Sequence, residues 1–103
     1  RGPLKDRRSV IICGAGMMGK RISKCLLDEG APLVAFVDVD PAKIGSTRRG
    51  KPIVAYADLP AFWAEQDKPI VLAAVGARGG RQLIREQLNS MELEEGRDWY
   101  AVA

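Results

Sequence analysis

Three short runs of consecutive apolar residues stand out along the chain, the first rich in β-branched residues, each closed by a glycine or an acid. Ser9-Val10-Ile11-Ile12-Cys13 ends at Gly14, residues 33–37 (Leu33-Val34-Ala35-Phe36-Val37) end at Asp38, and residues 70–75 end at Gly76. Runs of this length bounded by turn residues predict strands buried on both faces, as in a parallel sheet. Between the first two runs the period becomes helical. Met18, Ile22, Cys25 and Leu26 fall at i, i+4, i+7 and i+8, and Gly30 with Pro32 just beyond ends that helix. Leu83, Ile84, Gln87 and Leu88 mark one side of a later helix, and Asp58 is placed to cap a short one carrying Leu59, Phe62 and Trp63. Residues 44–50 read as a loop, Ile53-Val54 as a short extra strand, and residues 98–102 as a last strand after the Glu94-Glu95-Gly96-Arg97 turn.

Strands alternating with helices imply parallel pairing through right-handed crossovers. The order of these elements is that of one mononucleotide-binding half of a doubly wound fold. The expectation is an α/β, Rossmann-like three-layer α/β/α domain with a mostly parallel sheet and main strands in the order 3-2-1-4. Residues 9–103 make up that domain. Residues 1–8, Arg1-Gly2-Pro3-Leu4-Lys5-Asp6-Arg7-Arg8, read as a linker from an upstream region.

Composition narrows the function classes. The chain is 47% hydrophobic and 28% charged, ordinary for a globular protein. Two Phe, two Trp and two Tyr leave the core to Val, Ile, Leu and Ala, with Phe62 and Trp63 covering the sheet and Trp99 and Tyr100 packing the last strand. A net charge of +3, spread evenly, does not point to nucleic acid. The longest apolar run, residues 70–77, is far shorter than a membrane span. Cys13 and Cys25 sit among apolar residues and read as buried reduced thiols, which suits a cytoplasmic setting. There is no histidine, and no metal-ligand cluster is visible.

The first strand runs directly into Gly14-Ala15-Gly16-Met17-Met18-Gly19, a GxGxxG fingerprint that opens the first helix. The first glycine permits a tight turn, the second lets backbone approach a pyrophosphate, and the third lets helix and strand pack. The helix N-terminus offers free N–H groups and a positive dipole end to an anion. Asp38 closes the second strand, 19 positions after Gly19, where a carboxylate accepts ribose hydroxyls and repels a 2′-phosphate. NAD(H) is thereby favoured over NADP(H), with other adenine or uridine nucleotides open. The alternatives are glycines kept only for the fold and an Asp38 that serves as a strand-end turn residue paired with a neighbouring base.

Gly76-Ala77-Arg78-Gly79-Gly80-Arg81 reads as a loop at the carboxyl edge of the sheet, where Gly76 gives backbone access and Arg78 can reach a second anion. A solvated basic turn is the competing reading. Arg48, Arg49 and Lys51 read as a solvated loop face. Without a histidine or a nucleophile-elbow pattern, no residue is assigned a catalytic role.

The runs Cys13-Gly14-Ala15-Gly16-Met17-Met18-Gly19-Lys20-Arg21 and Ala35-Phe36-Val37-Asp38-Val39-Asp40-Pro41-Ala42-Lys43-Ile44-Gly45 resemble a small Rossmann-like C-terminal domain of some bacterial family 2 glycosyltransferases. Gly50-Lys51-Pro52-Ile53-Val54, Ala74-Val75-Gly76-Ala77-Arg78-Gly79 and Glu95-Gly96-Arg97-Asp98-Trp99-Tyr100 look like the same domain, so the similarity spans nearly the whole chain. That resemblance implies an accessory or regulatory module beside an upstream catalytic domain of the same chain, with a small-molecule nucleotide as ligand. Residues 36–45 are also similar to NADH-binding, redox-sensing repressors. An NAD(H)-sensing switch is therefore one alternative, and a docking or homodimerisation domain with an unused fingerprint is another.

Overall fold

In the computed structural model the described residues are 9–66, 69–74 and 78–101, with the backbone alone described for 78–81. The linker reading of residues 1–8 and the assignment of Gly76 both lie outside the described residues.

The chain forms β1 (Val10–Cys13), α1 (Met17–Asp28), β2 (Leu33–Asp38), β3 (Thr47–Arg48), β4 (Lys51–Ala55), a 3-10 turn (Tyr56–Asp58), α2 (Leu59–Glu65), β5 (Ile70–Ala73), α3 (Arg78–Ser90) and β6 (Trp99–Ala101). The six strands make one sheet in the order β3-β4-β2-β1-β5-β6, and only the β3–β4 pair is antiparallel. With β4 counted as the third main strand, the 3-2-1-4 order holds and β6 extends it. β1 lies in the middle, with Ile12 opposite Phe36 on one side and Leu72 on the other.

Alternation along the strands divides the core into two layers. Ile11, Cys13, Val37, Val71 and Trp99 join Leu59 from α2 and Ile84 and Leu88 from α3, with Phe62 and Trp63 packed against them. Val10, Ile12, Leu33 and Phe36 face the other way, toward Met18, Ile22 and Leu26 of α1. Each fully buried Ile, Leu or Phe contributes roughly 1.5–3 kcal/mol, so the middle of the sheet carries most of the fold's stability.

Several local expectations are corrected. Cys25 is exposed while Cys13 is buried, because α1 meets the sheet through the small buried residues Gly19 and Ser23. Leu83 and Tyr100 are exposed, whereas Trp99 belongs to the core. Asp58 stands at the N-terminus of α2 but makes no side-chain cap, since the preceding 3-10 turn occupies the approach. Residues 44–50 are not all loop: Thr47–Arg48 pairs antiparallel with β4. The Arg78–Arg81 stretch is already helical, because first-turn N–H groups have no intrahelical acceptor to find and glycine is tolerated there. Gly30 ends α1 as expected, at a φ of 75°, with its N–H donating to Leu27 O and that of Ala31 to Leu26 O.

Candidate functional site

The candidate site lies at the carboxyl ends of β1 and β2, where α1 begins. Leaving β1, the chain turns at Gly14 with a φ of 110°, a conformation that strains any side chain. The Gly14 N–H donates to Val37 O at 2.6 Å, which holds the turn against β2. A Cβ on Gly19 would run into the Gly14 carbonyl oxygen, so helix and loop touch backbone to backbone there. The first and third glycines are therefore requirements of the fold.

Gly16 is different. It precedes α1 with a φ of −83°, which any residue adopts, and among the described residues a Cβ there would meet only Lys43 Nζ, at 3.9 Å. The helix that follows has no side-chain cap and no acid in its first turn. Among the described residues nothing accepts from the N–H groups of Gly16, Met17, Met18 or Gly19. The surroundings of Gly16 thus present donors, positive dipole and free space together.

Asp38 binds this loop directly. Its Oδ2 accepts from the Ala15 N–H at 2.8 Å, and its Oδ1 accepts from Val39 N–H at 2.7 Å and Asp40 N–H at 3.0 Å. Partial burial by itself raises the carboxyl, but the amides of Ala15, Asp40 and Val39, with the charge of Lys43, outweigh it and hold it below its ordinary value of 3.8. The base-paired turn reading is replaced by three backbone donors, and a carboxylate with about four acceptor positions retains room for a hydroxyl.

A depressed folded value places the stabilising effect above 3.8, to be lost as the pH falls through that folded value. Asp38→Asn should accordingly lower the unfolding midpoint at pH 7, with the gap from wild type closing in acid below pH 3.8. Parallel pH profiles for the two proteins would contradict the assignment of these hydrogen bonds.

Three basic residues missed as site neighbours gather here. Arg48 donates from Nη2 to Ala15 O at 3.0 Å. Arg49, at a φ of 52°, donates from Nε to Ser23 Oγ at 2.8 Å and from Nη2 to Lys20 O at 2.8 Å. The solvated reading is corrected for Arg48, which is half-buried, whereas Arg49 stays exposed while it bonds α1: the β3–β4 hairpin folds back and lays both on α1 and its loop. Lys43 stands near Gly16 from a turn pinned at both ends. Its N–H donates to Asp40 O at 2.9 Å, its carbonyl accepts from Ser46, and Gly45 donates to Ile53 O. Nothing in the local pattern of residues 43–49 signals this, because the contacts run to residues about 25 or more positions away.

Tyr56, also missed, hydrogen-bonds Cys13, and burial pushes that thiol up to about 12. Cys13 is therefore an inert structural thiol. Of the proposed site residues, the structure brings Gly14, Ala15, Gly16, Met17, Met18, Gly19 and Asp38 together. Arg78 opens α3, and its side chain is outside the described parts.

These features define a Rossmann-type α/β domain with an open glycine loop at its carboxyl edge. No family model matches the chain. The UDP-D-quinovosamine 4-dehydrogenase of Vibrio fischeri superposes with a TM-score of 0.80 at 22% identity, over 94% of this chain and 79% of that one. The Rex-family repressor RSP does so with a TM-score of 0.77 at 18% identity, over 96% and 54%. RSP in complex with beta-NADH gives 0.71 at 18%, over 93% and 53%. At such identities the likeness establishes the fold.

Among curated proteins, a protein of Alkalimonas amylolytica named as a K(+) efflux antiporter, KefB, is 31% identical over 78 residues, which is 76% of this chain and 11% of that protein. The chain thus spans about a tenth of the antiporter's length and about half of RSP's. A match to so small a part assigns no transport activity here. No described helix is long and apolar enough to cross a membrane. The glycosyltransferase resemblance gains no support from these comparisons.

Proposed function

We propose that this domain binds a nucleotide at the Gly14–Gly19 loop, with NAD(H) the first candidate. The observation that carries this reading is Gly16: the fold leaves that position open, yet it is glycine, at an uncapped helix end with free N–H groups. Pyrophosphate oxygens accept from the amides of Gly16, Met17 and Met18, and a ribose hydroxyl donates to Asp38. Met17 and Val39, both exposed, supply apolar surface beside the crevice for a base. The complex of RSP with beta-NADH favours a dinucleotide, and by that analogy an NAD(H)-responsive switch is the second reading. Gly76 and Arg78 as holders of a second anion, and an upstream glycosyltransferase domain as the setting, remain part of this proposal on sequence grounds.

Thermal unfolding with NAD⁺, NADH, AMP, UDP and UDP-sugars tests it. A ligand at a hundred times its Kd stabilises by about 2.7 kcal/mol, a rise on the order of ten degrees for so small a domain. A shift with NAD⁺ or NADH is expected. A shift with uridine compounds alone would replace the dinucleotide by a nucleotide-sugar role, and no shift with any of them would leave a docking domain.

A further inference from the structure

Lys43 is a half-buried cation in an electrostatically awkward place. Among the described residues its Nζ is the one atom within 4 Å of where a Cβ on Gly16 would stand, at 3.9 Å. That position is the positive end of α1, which has neither a capping side chain nor a first-turn acid to balance it. Asp38 is near enough to feel the lysine's charge, but it accepts from the Ala15, Val39 and Asp40 amides and makes no direct ion pair with Lys43. No ion pair or hydrogen bond of Lys43 Nζ occurs among the described residues.

Nearby, Arg48 reaches the same loop through Ala15 O, and its Nε is buried without a partner among the described residues. Two cations therefore converge on a helix end that itself favours negative charge. The turn carrying Lys43 is fixed by backbone bonds to Asp40 and, through Gly45, to Ile53 of β4, so the ammonium is presented by a rigid element.

We propose that Lys43 is a phosphate-holding residue of this site: with the free amides of Gly16 and Met17 it forms a pocket for a diphosphate group, which the ammonium closes from the side of β4. The inference rests on the nucleotide-binding reading but adds a residue that the glycine fingerprint does not contain. A lysine acts here as a mobile point charge, so Lys43→Arg should keep most of the binding and Lys43→Ala should not.

Calorimetric titration of wild type, Lys43→Ala and Lys43→Arg with NADH and with inorganic pyrophosphate tests it, at two salt concentrations. The expected result is at least about tenfold weaker binding of both probes to Lys43→Ala, with a shallower salt dependence and only a small change in the unfolding midpoint. Wild type binding pyrophosphate but not NADH, with Lys43→Ala losing the pyrophosphate, would uphold the lysine and sink the dinucleotide reading. NADH binding equally to wild type and Lys43→Ala would overturn the lysine and leave the nucleotide reading standing. Binding of neither probe by wild type would overturn both.

Discussion

Gly19→Ala should destabilise this domain severely and lower its unfolding midpoint well below that of wild type. The added methyl is directed at the carbonyl oxygen and carbon of Gly14, with Ile12 Cγ2 close behind. None of these is the far end of a flexible side chain. Gly14 is tied to β2 through its N–H on Val37 O, and β1 is buried along its length, so the loop cannot retreat without shifting the middle of the sheet. Overpacking against side chains costs about 1–3 kcal/mol. Against fixed backbone the cost lies at or above the top of that range, about 3 kcal/mol or more. For a domain of this size that lowers the unfolding midpoint by roughly 12 °C or more. A midpoint within two or three degrees of wild type would show that α1 can move off the loop, contrary to the packing described.

Gly16→Val, three residues earlier, should do the reverse: spare the fold and abolish nucleotide binding. Its backbone already suits a β-branched residue, and its only close neighbour among the described residues is a lysine end that can swing aside. The loss at this helix-capping position is about 1 kcal/mol. The isopropyl group would stand over the amides of the first helical turn, where the phosphates are proposed to sit. Binding of NADH should weaken on the order of a hundredfold or more, equivalent to about 2.7 kcal/mol. Unfolding curves and calorimetric titration of the same preparation measure both halves. Undiminished binding in a folded Gly16→Val protein would remove the loop from the site, whatever the ligand.

The contrast between the two substitutions shows what a fingerprint conceals. Gly14, Gly16 and Gly19 look alike in the sequence. In the structure one serves a left-handed turn, one serves close helix packing, and only the middle one is left without a structural reason. The place of Asp38 at the end of its strand was legible in the sequence. Its hold on the Ala15 amide was not, since that contact spans 23 positions.

Sequence alone determined the order of the main strands and helices, the burial of β1 and of most of β2, the Gly30 stop of α1 and the position of the loop at the sheet's carboxyl edge. These follow from period, turn chemistry and crossover handedness, which are local or general. Tertiary structure decided the rest: which face of α1 turns inward, so that Ser23 is buried and Cys25 is not, and where Lys43, Arg48 and Arg49 come to lie. A long charged side chain is compatible with solvent, with a carbonyl or with a helix end, and its local sequence does not choose among them. The choice is made when the β3–β4 hairpin pairs with β2 and carries those cations across to α1.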